Sequence, residues 1–155
     1  GAEIIYNRSC ELMKEFPGIK IVVMGDMNDN PDDVSMVKYL HSKERQEQLD
    51  DEDFYSPFLS MYNDGYGSLA YQGSWNIFDL IFTNKALSKP KPNTLKITPV
   101  VKHKKKLYYG RIFNKTYMRY QKGSEKDSPL RTFSGGAFMN GYSDHYPTYI
   151  VLSKY

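Results

Sequence analysis

Residues 19–31 read Ile19-Lys20-Ile21-Val22-Val23-Met24-Gly25-Asp26-Met27-Asn28-Asp29-Asn30-Pro31, and this stretch decides the fold. Its first six positions are a short, β-branched apolar run, the pattern of a buried strand. The remaining seven form a polar loop at the strand's C-terminal end, where open α/β sheets commonly bind ligands. Upstream, Ile4, Ile5, Leu12, Met13 and Phe16 gather onto one helical face, and Pro17-Gly18 ends the helix predicted over 2–16. Downstream, Asp32 or Asp33 is placed to cap a second helix running to about His41.

Farther along, residues 42–53 are charged and predict a solvated segment, and 54–61 predict a short helix or turn packed through Phe54, Phe58 and Leu59. Asn63-Asp64-Gly65 is turn chemistry, with a strand or hairpin arm after it over 66–73. Residues 75–83 predict a central strand, Lys89-Pro90-Lys91-Pro92 a surface loop, and 95–101 another strand. Residues 111–140 hold no sustained period and predict a long loop; Asn140-Gly141 predicts a tight turn and 146–153 a last strand. The order is helix, strand, helix, then mainly strands, with no repeat and no linker. That pattern is α/β, a layered β-sheet with outer helices in a single domain over 1–155.

Composition sets bounds on function. With 40% hydrophobic and 25% charged residues, the 155-residue chain has the make-up of an ordinary globular domain. No apolar run reaches the roughly 20 residues of a membrane helix. Cys10 is the single cysteine, which excludes a disulfide framework and a Cys-based zinc site and predicts a buried packing thiol. A net charge of +3 suits an anionic substrate without identifying one. Fourteen tyrosines and eight phenylalanines predict an aromatic core, a stacking surface or both, with core the reading for most of them. Nothing in the residues indicates a localisation.

Three clusters carry chemistry: Gly25-Asp26-Met27-Asn28, Trp75-Asn76-Ile77-Phe78-Asp79-Leu80-Ile81 and Ser143-Asp144-His145-Tyr146-Pro147. Each sits in or at the end of an expected strand. Asp26-x-Asn28-x-Asn30 by itself also reads as a turn of Asx caps or a calcium loop. The calcium loop fails, since Pro31 stands at its glycine position and Val37 at its terminal glutamate. Asp79 inside an apolar strand is informative alone, because a buried carboxylate needs a partner; a structural salt bridge is the plainer explanation. His41 and His103 have no supporting neighbours and read as surface residues, and Lys104-Lys105-Lys106 reads as a solvated basic run.

Taken in order, the clusters resemble the C-terminal half of the endonuclease/exonuclease/phosphatase superfamily, which includes apurinic endonucleases and pancreatic deoxyribonuclease. There the corresponding motifs are Gly-Asp-Phe-Asn, Asp-x-Ile-Phe and Ser-Asp-His-x-Pro; Met27 replaces the usual Phe, one apolar side chain for another. The resemblance implies a metal-dependent phosphoester hydrolase. Asp26 would orient and deprotonate the attacking water, and Asn28 would donate its amide hydrogens to the water or a phosphoryl oxygen. His145 would contact the scissile phosphate, with Asp79 on its other ring nitrogen fixing the tautomer. Asp144 would bind Mg²⁺ or Mn²⁺, an ion that keeps several waters. Trp75 and Asn76 would line the substrate groove.

The resemblance also implies a sandwich of two sheets flanked by helices, built from two similar halves, with a metal-binding glutamate in the first. Only one helix and one strand precede Asp26 here. The expectation is therefore half of a four-layer α/β-α sandwich, one sheet with outer helices, inactive by itself and prone to self-association through an exposed apolar face. The substrate class stays open among nucleic acids, nucleotides, inositol phosphates and phospholipids. The competing expectation is a non-catalytic module that binds nucleic acid or protein on a related fold. Such a module has no need of Asp26, Asn28, Asp79, Asp144 and His145 together.

Overall fold

The computed structural model describes residues 1–103 and 106–154; Lys104 and Lys105 of the basic run lie outside them. Helix α1 (Ala2–Glu15) leads to strand β1 (Val22–Asp26) and a single π-type turn at Ser35–Tyr39. Next come β2 (Ser42–Lys43), β3 (Phe54–Tyr55), α2 (Leu59–Asn63), β4 (Leu69–Tyr71), β5 (Ser74–Asn76), β6 (Asp79–Asn84) and α3 (Lys85–Ser88). The rest is β7 (Lys96–Thr98), β8 (Val101–His103), β9 (Lys106–Tyr108), β10 (Gly110–Ile112), β11 (Phe133–Ser134), β12 (Ala137–Phe138) and β13 (Thr148–Ser153). The chain is α/β. Its strands do not form the one sheet expected. They form a four-stranded sheet in the order β1-β6-β3-β2, a three-stranded sheet β10-β13-β7, and separate hairpins.

Strand β6 is the axis of the larger sheet. Leu80, Ile81, Phe82, Thr83 and Asn84 are all buried along it, as a strand covered on both faces requires. One apolar cluster joins Val23, Phe54, Leu80 and Phe82 of this sheet to Ile112 of the other, with Phe58 and Tyr146 between them. Phe54, Phe58 and Phe82 are fully buried, each worth roughly 1.5–3 kcal/mol relative to exposure. Gly110 lets β10 lie against the Phe58 ring, since a Cβ there would fall 2.8 Å from it. Of the aromatics, Tyr55, Tyr108 and Tyr146 join the core, whereas Tyr117, Phe133, Phe138 and Tyr142 in the long loop are exposed.

Several local expectations change. Strand β1 is an edge rather than a buried strand: it ends the sheet beside β6, and only Val23 is buried, while Met24, on the opposite face, is 71% exposed. Helix α1 buries Ser9 and Cys10 and packs Ala2 and Tyr6 on the core; Ile4, Ile5 and Phe16 face out. Helix α1 also packs against the 35–39 turn. The second helix shrinks to that turn. Asp33 does not cap it, since its carboxylate accepts from the Asn30 N–H at 2.6 Å, and His41 leaves helical geometry at φ +56°. His41 is not a bare surface residue; its ring stacks on Tyr6 at 4.1 Å.

The 42–53 segment is not simply solvated. Ser42, Leu49 and Asp53 are buried, and β2 pairs in parallel with β3. The strand expected over 75–83 is broken at Ile77-Phe78. There the Ile77 N–H donates to Asn30 Oδ1 (3.0 Å) and the Phe78 carbonyl accepts from the Met27 N–H (2.8 Å). One expected strand thus becomes β5, in a hairpin with β4, and β6. That break sets Asp79 at the head of β6.

Candidate active site

Strands β1 and β6 run antiparallel, and their final pair is Asp26 opposite Asp79. The last residue of one strand and the first of the other therefore share one end of the sheet. Asp26 is exposed there, and its Oδ1 accepts the Asn28 N–H at 3.0 Å. This Asx turn places Asn28 at φ +53°, a conformation asparagine tolerates better than most residues. The Asn28 side chain is exposed and makes no hydrogen bond among the described residues, so its amide is free to meet a ligand.

Asp79 is the junction of three chain segments. His145 Nδ1 lies 2.9 Å from Asp79 Oδ2 and 3.1 Å from Oδ1. The Ser68 hydroxyl donates to Oδ2 at 2.7 Å, and the Thr148 hydroxyl donates to the Asp79 carbonyl at 2.8 Å. An ionised carboxylate only accepts, so Nδ1 carries the proton and Nε2 is the ring nitrogen left for other partners. Both side chains are 22% exposed, sheltered from bulk water yet reachable.

The loop bearing His145 is fixed from both sides. Its N–H donates to Ser143 Oγ at 3.1 Å, and the next residue's N–H donates to the Ser68 carbonyl at 2.7 Å. Tyr146 is fully buried and donates its hydroxyl to the Asp127 carbonyl at 2.9 Å. Burial pushes that phenol up to about 12, which keeps it a neutral donor. The Trp75 ring stacks on Tyr146 with centroids 6.5 Å apart. Gly67 permits this arrangement, because a Cβ there would lie 2.6 Å from the indole.

Asp26, Asp79 and His145 each offer a ligand atom, and these atoms lie within 4.8 Å of one another. Asn28 stands beside them on the β1 loop. Asp144 is adjacent in sequence to His145 but exposed, and it is outside that group of three. Asn76 is engaged by the protein at both ends of its amide: Asn30 Nδ2 donates to its Oδ1 at 2.9 Å, and its Nδ2 donates to the Ser74 carbonyl at 3.3 Å. Sequence reasoning missed Ser68, and it read Asn30 only as part of a local turn of Asx caps, not as the partner of Asn76 and Ile77. Ser68 carries no signal of its own, since only burial next to Asp79 distinguishes it.

The arrangement can orient a water at Asp26, present an imidazole Nε2 held by Asp79, and offer a free amide from Asn28. Among the described residues no helix is long and apolar enough to cross a membrane. No curated protein and no solved structure matches the chain. The family model described as "Endonuclease/Exonuclease/phosphatase family" matches residues 1–154. With that match over nearly the whole chain and the Asp26, Asp79 and His145 side chains gathered at one sheet end, the chain belongs to the endonuclease/exonuclease/phosphatase family of phosphoesterase and nuclease-type hydrolases.

Proposed function

We propose that this chain carries the water-activating and phosphate-contacting side chains of a divalent-metal-dependent phosphodiester hydrolase. The observation that carries the reading is the Asp79–His145 pair at 2.9 Å, with Asp26 beside it at the end of the same two strands. Asp26 accepts the proton of the attacking water through the carboxylate oxygen that Asn28 does not use. The Asn28 amide donates to that water or to a phosphoryl oxygen. His145 donates from Nε2, when protonated, to the phosphoryl group, and Asp79 holds the ring and balances its charge.

Mg²⁺ and Mn²⁺ favour oxygen ligands and keep part of their water shell. Asp79 is taken up by His145 and Ser68, whereas Asp144, next to His145 in sequence, is exposed. Asp144 would hold the ion, which would supply charge neutralisation at the phosphoryl group. One carboxylate by itself holds Mg²⁺ weakly. Trp75 and Asn76 border the site as walls rather than as reacting groups.

The test is Mn²⁺ binding, monitored by water-proton relaxation, together with phosphodiester hydrolysis in the intact protein and its Asp144→Asn variant. The reading requires weaker Mn²⁺ binding in the variant and a matching rise in the metal concentration needed for activity. Unchanged metal dependence would remove Asp144 from the metal site.

A further inference from the structure

A second cavity, of about 550 Å³, opens at the other end of the same two strands, where Lys20 precedes β1 and Asn84 ends β6. Lys20 stands six residues before Asp26, roughly 20 Å away along an extended chain. The volume falls within the range of small-molecule sites. Met13, Pro17, Ile19, Ala86 and Pro90 give it a largely apolar wall. The floor is preformed: buried Asn84 donates to the Ile19 carbonyl at 2.8 Å and accepts the Ile21 N–H at 3.0 Å, tying the approach to β1 onto the end of β6.

Five lysines line this cavity: Lys14, Lys20, Lys85, Lys89 and Lys91. Two are neutralised, Lys85 by Asp51 at 2.7 Å and Lys14 by Glu52 at 3.8 Å. Lys20 is different. Its ammonium is drawn inward onto the Ala86 carbonyl and, at 3.4 Å, onto Thr94 Oγ1, which leaves one N–H unused and no carboxylate opposite it among the described residues. Burial alone pushes its pKa down, which marks a desolvated cation without an acidic partner. Lys89 and Lys91 at the rim carry no ion pair among the described residues. Three ammonium groups without counter-charge thus surround one apolar cavity.

We propose that this cavity is a binding site for an organic phosphate monoester, whose dianion neutralises Lys20, Lys89 and Lys91 and whose compact apolar body lies on Met13, Ile19 and Pro90. Three cations without an acidic partner match a dianion better than the single charge of a carboxylate. The site is separate from the hydrolytic centre and does not depend on it.

The test uses phenylphosphonate, which has the dianion and the apolar ring but no ester to hydrolyse, titrated without divalent ions and monitored by backbone amide NMR. Saturable shifts are expected at Ile19, Ala86 and Thr94. Lys20→Met should weaken binding roughly tenfold or more, as loss of a charge-assisted hydrogen bond does. Because Lys20 also ties two segments together, the double variant Lys89→Ala/Lys91→Ala repeats the test at exposed positions and should weaken binding as well. His145→Ala should leave it unchanged, and the neutral benzenesulfonamide should not bind. No shifts at these amides up to about 10 mM, a range that covers weak specific binding, would overturn the proposal. So would affinity indifferent to the Lys89/Lys91 variant, or affinity lost with His145.

Discussion

Asp79 Oδ2 and His145 Nδ1, 66 residues apart in sequence, meet at 2.9 Å because the break at Ile77-Phe78 starts β6 at Asp79 and β13 brings its preceding loop across that end. The carboxylate therefore dictates which imidazole nitrogen carries the proton. Replacing it by an amide, Asp79→Asn, presents an NH₂ group to Nδ1 and moves the ring proton to Nε2. The intact enzyme should lose activity on the order of 10³-fold or more, as when the tautomer of other carboxylate–histidine pairs is inverted. Steady-state rates, with ¹⁵N shifts of the imidazole to read the tautomer, check this. An Asn variant with near-native rates would mean that Asp79 serves only as a structural acceptor.

Ser68 acts through Asp79 rather than on the substrate. Ser68→Ala removes the 2.7 Å donor from a carboxylate that stays in place. The expected cost is about 1–2 kcal/mol of stability, a fall of a few degrees in melting temperature for a chain of this size. kcat should drop about tenfold with KM unchanged, because the imidazole is held less well while phosphate contacts persist. A change confined to KM would place Ser68 in substrate binding instead.

The grouping of Asp26, Asp79 and His145 was legible in the sequence, and much of its surroundings was not. Asp26, Asp79 and His145 come together as their motifs implied. Those motifs sit at strand ends, where a short local pattern fixes the position of one side chain. The break between β5 and β6 was not legible, because it depends on Asn30 capturing the Ile77 N–H from 47 residues away. The exposure of β1 was hidden for a related reason: a run such as Val22-Val23-Met24 reads the same with one face covered as with both, and only the packing against it decides. The outward-facing Ile4 and Ile5 show the converse, apolar residues at helical spacing whose face the packing did not use.

Away from the site, Asp64 joins α2 to β9 through Lys106 Nζ and the Tyr108 hydroxyl. Those hydrogen bonds hold the Asp64 carboxyl below its ordinary value, and the same contact pushes Tyr108 up to about 12. The Asp64 contribution to stability is present above the carboxyl's unfolded pKa and is lost as pH falls through its lower folded value. The Tyr108 contribution is present below the ordinary phenol pKa and is lost as pH rises toward 12. Urea midpoints across pH should therefore fall at both extremes, and Tyr108→Phe should flatten the alkaline fall and, because Lys106 still holds Asp64, only part of the acid one. A variant whose two limbs match the wild type would show that this contact does not link folding to protons.

Strand β1 leaves Val22 and Met24 exposed on an unpaired edge, an invitation to strand addition. Sedimentation of this chain should show association that rises with concentration, and Met24→Glu should return it to monomer by placing charge on the edge. A wild-type monomer across a wide concentration range contradicts this.

The decisive comparison is hydrolysis of bis(4-nitrophenyl) phosphate with Mg²⁺ by the intact protein and its His145→Ala variant side by side. Turnover should depend on the metal and fall by about 10²-fold or more in the variant, the scale of a lost general acid or base. Turnover equal in the two proteins, or none in the wild type with Mg²⁺ present, would contradict a hydrolytic role for this site.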